Sequence, residues 1–252
     1  MRAVAHVDDA ERASAYLALL ADDAAFYSEL DARERQFAQM LFFLLFPDGG
    51  GYPSLQAGFA ALARESAVRQ ELRELIAISL DQSRHLPSPL TGTLTEVPLQ
   101  VHARYQREEI LSALGHASLQ RLPSYFREGV MRSDELNIDA FLVTLRKSDT
   151  DFSPTTMYQD YAISPTLFHW ESQSTTAVGS KTGQRYLHHR ATGSEVLLFS
   201  RRSKVDPLGT MAYTFLGTAD YVGHTGDRPI GITWQLRRPM PADLFLQARV
   251  AG

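Results

Sequence analysis

Tyr158, Tyr161, Phe168, Trp170 and Tyr186 fall between Ser153 and His189, interleaved with Asp160, His169, Gln173, Ser174, Thr182 and Arg185. Flat rings among short hydrogen-bonding side chains suit the capture of something planar and polar, such as a nucleobase. Most aromatic side chains are core, so two readings stand at this point: a binding site, or core rings with turn chemistry around them. In the first, Tyr161, Trp170 and Tyr186 are stacking platforms, each stacked base contributing about 1–3 kcal/mol. Asp160 accepts from an exocyclic amine, and Gln173 both donates and accepts. On an extended strand Phe168 and Trp170 share one face and His169 takes the other. A pocket that holds His169 therefore excludes Trp170. Arg185, Arg190, Arg201, Arg202 and Lys204 are candidates for holding phosphates, and each also suits an ordinary surface position.

Other chemistries find less support. A hydrolase would draw on Ser164 or Ser172, His169 and a carboxylate, but no G-x-S-x-G occurs. A metal site would draw on His169, His188, His189 and His224. Adjacent histidines on a strand point to opposite faces, and no HExxH spacing is present. Gly49-Gly50-Gly51 is not followed by GK[ST], which makes it a loop and not a phosphate cradle. There is no DEAD or DEAH box and no H-x-K motif. The expectation is a binding protein without catalytic residues, metal or cofactor.

The elements that must position these residues change character along the chain. Ala13, Tyr16, Leu17, Leu20, Ala24 and Tyr27 recur at helical spacing, as do Phe37, Met40, Leu41, Leu44 and Leu45 behind Asp31 and Glu34, a capping-box pair. Two further helices are predicted at 54–64 and 66–82, which together suggest a small antiparallel bundle. Residues 84–95, rich in Pro, Gly, Ser and Thr, read as a linker between a helical domain, 1–95, and a second domain, 96–252. Beyond it, a short strand is expected at 97–102 and a helix at 106–114 closed by Gly115. Strands follow at 141–146, 195–200, 213–216, 218–224 and 230–237, with turns at 206–209 and 225–229. Short strands with little helix predict a closed or partly closed barrel.

Composition bounds the rest. Hydrophobic residues make up 44% and charged residues 21%, values of a soluble globular protein. No apolar run approaches the roughly 18 residues of a membrane span, and the N-terminus lacks the pattern of a signal peptide. There is no cysteine, hence no disulfide or thiolate site, and a cytoplasmic location is expected. Residues 1–120 carry 10 Lys/Arg against 16 Asp/Glu, while 121–252 carry 15 against 13. The second part tolerates a polyanion without the strong basic excess of many DNA binders.

Five stretches carry a resemblance: 97–115, 141–176, 182–189, 196–201 and 213–236. They resemble the C-terminal domain of unknown function of DEAD/DEAH-box helicases that also carry a phospholipase D-type nuclease. That architecture is similar to ATP-dependent, modification-dependent (type IV) restriction endonucleases. The resemblance implies an α+β chain: a helical bundle followed by an SRA-like, PUA-type β-barrel that flips and tests a modified cytosine in duplex DNA, 5-methylcytosine being the first candidate. It implies helicase and nuclease domains as partners in cis or trans, and it assigns no pocket residue. The alternatives are a PUA-like binder of RNA or unmodified nucleic acid, a helicase-associated protein-interaction domain, and a nucleotide sensor.

Overall fold

A computed structural model describes residues 2–21, 27–145, 160–207 and 209–249. They form two compact units, Met1–Glu128 and Gly129–Gly252. The fold is α+β, with a helical N-terminal part and a strand-rich C-terminal part.

In the first unit the helices are α1 (Ala10–Leu19), α2 (Ala32–Leu45), α3 (Leu55–Leu62), α4 (Ser66–Asp81) and, after an interval, α5 (Arg107–Ala113). Their starts follow from local chemistry. Asp9 accepts the Arg12 N–H, Asp31 and Glu34 form a reciprocal capping box, and Ser54 accepts the Ala57 N–H. Gly115, at φ 71°, ends α5 in the left-handed conformation that glycine adopts without strain. The apolar face of α2 (Phe37, Met40, Leu41, Phe42, Phe43) is buried.

The predicted linker does not separate the units. It contains β1 (Ser88–Pro89), which pairs antiparallel with β2 (Gln100–Val101) ahead of β3 (Arg104–Tyr105). Leu90, Leu94, Val97 and Leu99 are buried. Pro, Gly, Ser and Thr here make turns inside a packed unit, and the division falls after Glu128 instead.

The second unit holds β4 (Val130–Ser133), β5 (Ile138–Thr144), β6 (Tyr161–Ser164), β7 (Leu167–Glu171), α6 (Lys181–Leu187), β8 (Glu195–Arg201), β9 (Val205–Asp206), β10 (Gly209–Thr210), β11 (Tyr213–Thr225), β12 (Gly231–Leu236) and α7 (Ala242–Ala248). Its sheet runs β4-β5-β8-β11-β12-β7-β6, antiparallel except for the β5–β8 pair. The sheet is not the closed barrel expected from the strand pattern. Among the described residues β4 and β6 do not pair with each other. The outer side of β6 is instead met by the segment after α7, through a parallel bridge from Ala162 to Arg249. Short strands with intervening turns are shared by barrels and open sheets, so only the pairing could decide.

One face of the sheet carries the larger core cluster, and at β5, β8 and the start of β11 the other face is buried too, by Leu142, Leu197, Phe199 and Phe215. Phe141, Trp170, Val196, Leu198, Ile232 and Trp234 pack with Tyr186 from α6 and with Ala248 from α7. Two stretches expected as separate strands, 213–216 and 218–224, form the single strand β11. It is interrupted by bulges at Leu216 and Val222, and Gly217 takes φ 101° beside the first.

Gly183 sits in the first turn of α6, where its N–H bonds the Ser180 hydroxyl. A Cβ there would collide with the Ala177 carbonyl oxygen. Gly183→Ala is expected to destabilise the second unit by about 2–3 kcal/mol, in the upper range of overpacking costs. Both tryptophans, Trp170 and Trp234, lie in this unit, so urea unfolding followed by tryptophan fluorescence reads it directly. An unshifted midpoint would contradict the steric argument.

Candidate functional site

The two faces of β7 separate the predicted site residues. Phe168 and Trp170 point to the core, and Leu167, His169 and Glu171 to the other side. Registry then sets out rows across four strands. Tyr161 of β6 pairs with His169, His169 with Thr233 of β12, and Thr233 with Gly223 of β11. The neighbouring row is Glu171, Gly231 and Thr225. The Tyr161 and His169 rings lie 5.0 Å apart at 33°, both partly exposed.

Two glycines keep this polar face low. In an unbroken β11, Val222 would oppose Thr233. The bulge sets Val222 outside the register, 55% exposed, and brings Gly223 opposite Thr233. At Gly231 the His169 ring occupies the space a side chain would take: a Cβ would stand 3.0 Å from His169 Cε1.

The rim is tied at one end. Ser172 accepts the Ile230 N–H at 2.9 Å, Asp227 accepts the Val178 N–H at 3.0 Å, and Arg228 Nε donates to the Ser174 carbonyl at 3.1 Å. These bonds join loop 172–178 to the 225–229 turn and leave Gln173, Thr225 and Arg228 exposed. Asp160 accepts the Glu171 N–H at 3.0 Å at the start of β6.

Other predicted residues are committed elsewhere. Trp170 is 5% exposed and stacks on Phe141 at 4.0 Å and 5°, with Tyr186 edge-on at 5.6 Å. Its face is already covered by a protein ring, so it is core and not a platform. Tyr186, 2% exposed, belongs to the same cluster, and burial pushes its phenol well above the ordinary value. Arg185 makes a two-pronged pair with buried Asp139, both contacts 2.8 Å, and those hydrogen bonds raise its pKa. Arg190 bonds Asp220 at 2.8 Å. Burial raises the Asp220 carboxyl, but hydrogen bonds from Arg237 and Arg190 overcome it and leave the group well below the usual carboxylate range. Arg201 bonds Thr144 and the Met211 carbonyl and lies 4.3 Å over Tyr213. A phosphate could recruit these three only by breaking internal bonds.

Arg202 and Lys204 are exposed where β8 leads into the β9–β10 hairpin, at the Tyr213 end of β11. Thr225 and Arg228 lie towards its other end. At about 3.3 Å per strand residue, the two positions are on the order of 40 Å apart. Tyr158, with the rest of 153–159, lies outside the described residues.

Residues 99–248 match the family described as Domain of unknown function (DUF3427). The chain belongs to that family. No curated protein matches it. All of the rows above lie within the DUF3427 segment, which begins in the first unit and runs through the sheet.

The histidines do not gather. His189 is buried, its Nε2 accepting the Tyr221 N–H at 3.0 Å and its Nδ1 donating to the Ser194 carbonyl at 3.0 Å, a structural role. His224 bonds the Tyr221 hydroxyl. Among the described residues no group of three His, Asp or Glu side chains is arranged to hold a metal ion. No described helix is long and apolar enough to cross a membrane. Residues that sequence reasoning did not single out as site residues are Gly223, Thr225, Arg228, Gly231 and Thr233. The available signal was glycine inside a strand pattern, which marks a bulge or a close approach.

The first unit hides a polar cluster that the sequence did not announce. Glu109 is fully buried and accepts from Arg12 Nη1 at 2.9 Å, Tyr16 Oη at 2.8 Å and the Gln106 N–H at 2.8 Å, with His6 Nε2 also in contact. Arg12 pairs in addition with Asp9 at 2.9 Å and lies 4.2 Å from the Tyr105 ring centroid. These contacts fasten residues 6–16 to 105–109, a structural function.

Proposed function

We propose that this chain is a DNA-binding module that recognises modified cytosine, 5-methylcytosine first, by taking the base out of the stack. Its role would be target recognition in a modification-dependent restriction system, working with helicase and nuclease domains in cis or trans. The observation that carries this reading is the partly exposed Tyr161–His169 ring pair, set on a polar sheet face kept low by Gly223 and Gly231. The ligand class comes from the resemblance to SRA-like readers of PUA type.

Tyr161 would stack the base, with His169, Asp160 and Gln173 towards its edge and Arg228 on the nearby backbone. Arg202 and Lys204, at the far end of β11, would meet the same ligand only if it extends as a duplex does. Binding would fall with salt according to the phosphates contacted. Discrimination for one methyl group would be about 1–3 kcal/mol.

The test is binding of the full chain to duplexes with and without 5-methylcytosine at physiological salt. Tyr161→Ala should weaken binding to the methylated duplex by about 1–3 kcal/mol and leave the unfolding midpoint nearly unchanged. Equal affinity for the two duplexes would remove the modified-base assignment, and undiminished binding by Tyr161→Ala would remove the site.

A further inference from the structure

The second row of the polar face brings two hydrogen-bonding groups to one point. The Cβ position of Gly231 lies 3.4 Å from His169 Nε2 and 3.1 Å from Thr225 Oγ1. Gly231 opposes Glu171 on one side and Thr225 on the other, beside the Tyr161–His169 pair. No positive φ is needed at Gly231, so what glycine provides there is room. A Cβ at this position would make the imidazole and the Thr225 hydroxyl give way by a few tenths of an ångström.

We infer that His169 Nε2 and Thr225 Oγ1 form a polar subsite over bare Gly231 that reads the hydrogen-bonding edge of a planar base stacked on Tyr161. This rests on the nucleobase reading above. Gly231 is the positioning residue and Thr225 a specificity residue. With its proton on Nε2 the imidazole donates there, and the Thr225 hydroxyl, which can do either, then accepts. Together they match an edge on which an exocyclic amine adjoins a ring-nitrogen acceptor, as in cytosine. A base whose edge reverses those roles sets its ring N–H against the Nε2 proton, and an unmatched donor costs more than the bonds contribute.

5-Methylcytosine and thymine share the methyl group and differ at that edge, which separates edge reading from methyl reading. Each is placed opposite an abasic position in the same duplex, so that pairing does not intervene, and the affinity ratio is measured for the full chain. The wild type should prefer 5-methylcytosine. Thr225→Val, which keeps the shape and removes the hydroxyl at an exposed position, should lower the ratio about five-fold with unfolding unchanged. Gly231→Ala should lower it as well and shift the His169 imidazole NMR signals. A wild-type ratio of one, or a Thr225→Val ratio equal to a wild-type preference, overturns the subsite and leaves the methyl-reading proposal standing. Absence of all nucleic-acid binding overturns both. Should Gly231→Ala fail to fold, Thr225→Val decides.

Discussion

Glu109→Gln is expected to destabilise the first unit by about 3–5 kcal/mol, the usual cost of leaving a buried charge without its partner. Arg12 has no exposed surface, and its guanidinium is held by Glu109, Asp9 and Asp8. Removing the Glu109 charge leaves that cation with less compensation than its desolvation demands. Such a loss is a large fraction of the roughly 5–15 kcal/mol by which domains are stable. Urea unfolding followed by far-UV circular dichroism reads the helices of this unit, and a change under about 1 kcal/mol would mean the cluster is not dry.

The same carboxylate makes the unit acid-labile. Burial raises its pKa, but Arg12 and His6, with hydrogen bonds from His6 and the Gln106 N–H, outweigh burial and bring it from 4.5 to about 2. A folded value below the unfolded one means the stabilisation is fully present above about pH 4.5 and is lost as pH falls towards 2. Its size is about 3 kcal/mol at neutral pH. Asp9 acts in the opposite sense: burial raises its pKa against the attraction of Arg12, so its ionisation weakens the fold as pH rises through the folded value. The acid limb of a stability–pH profile should therefore flatten in Glu109→Gln, and an unchanged limb would show that another group controls it.

Trp170→Ala should cost the second unit about 3–5 kcal/mol, the range for truncating a large buried aromatic. The indole lies face to face with Phe141 and edge-on to Tyr186 and is almost wholly buried, so its removal opens the centre of the cluster. Trp170→Phe keeps much of the volume and should cost less. The urea midpoint, read on the remaining Trp234, measures both variants. A folded Trp170→Ala protein of near wild-type stability that has lost nucleic-acid binding would return Trp170 to the ligand and displace Tyr161. The contrast with Tyr161→Ala is the informative comparison: one ring supports the fold, and the other, on the opposite face of the neighbouring strand β6, is available to a ligand.

Much of the local structure was legible in the residues. Asp31 with Glu34, Gly115 after α5, the glycine run after α2 and the 225–229 turn are short-range chemistry, and each stands where its side chains require it. Period and capping depend on neighbours a few positions apart, and a sequence displays those directly. The division between units was misplaced because composition marks turns wherever they occur, and burial of Leu90, Leu94 and Leu99 is a long-range property.

The site lay between these limits. Rings and polar groups crowd into one stretch of residues, and on a strand His169 and Trp170 face opposite ways. Strand alternation imposes that separation on any fold. Which side is core follows from long-range packing, because Phe141, Tyr186 and Trp234 come from distant segments to cover Trp170. It also decided which cations are engaged internally, since Asp139 and Asp220 reach Arg185 and Arg190 across the fold. The bulge at Val222, which sets Gly223 opposite Thr233, is a matter of register between two strands. No single segment encodes register, and the floor of the polar face depends on it.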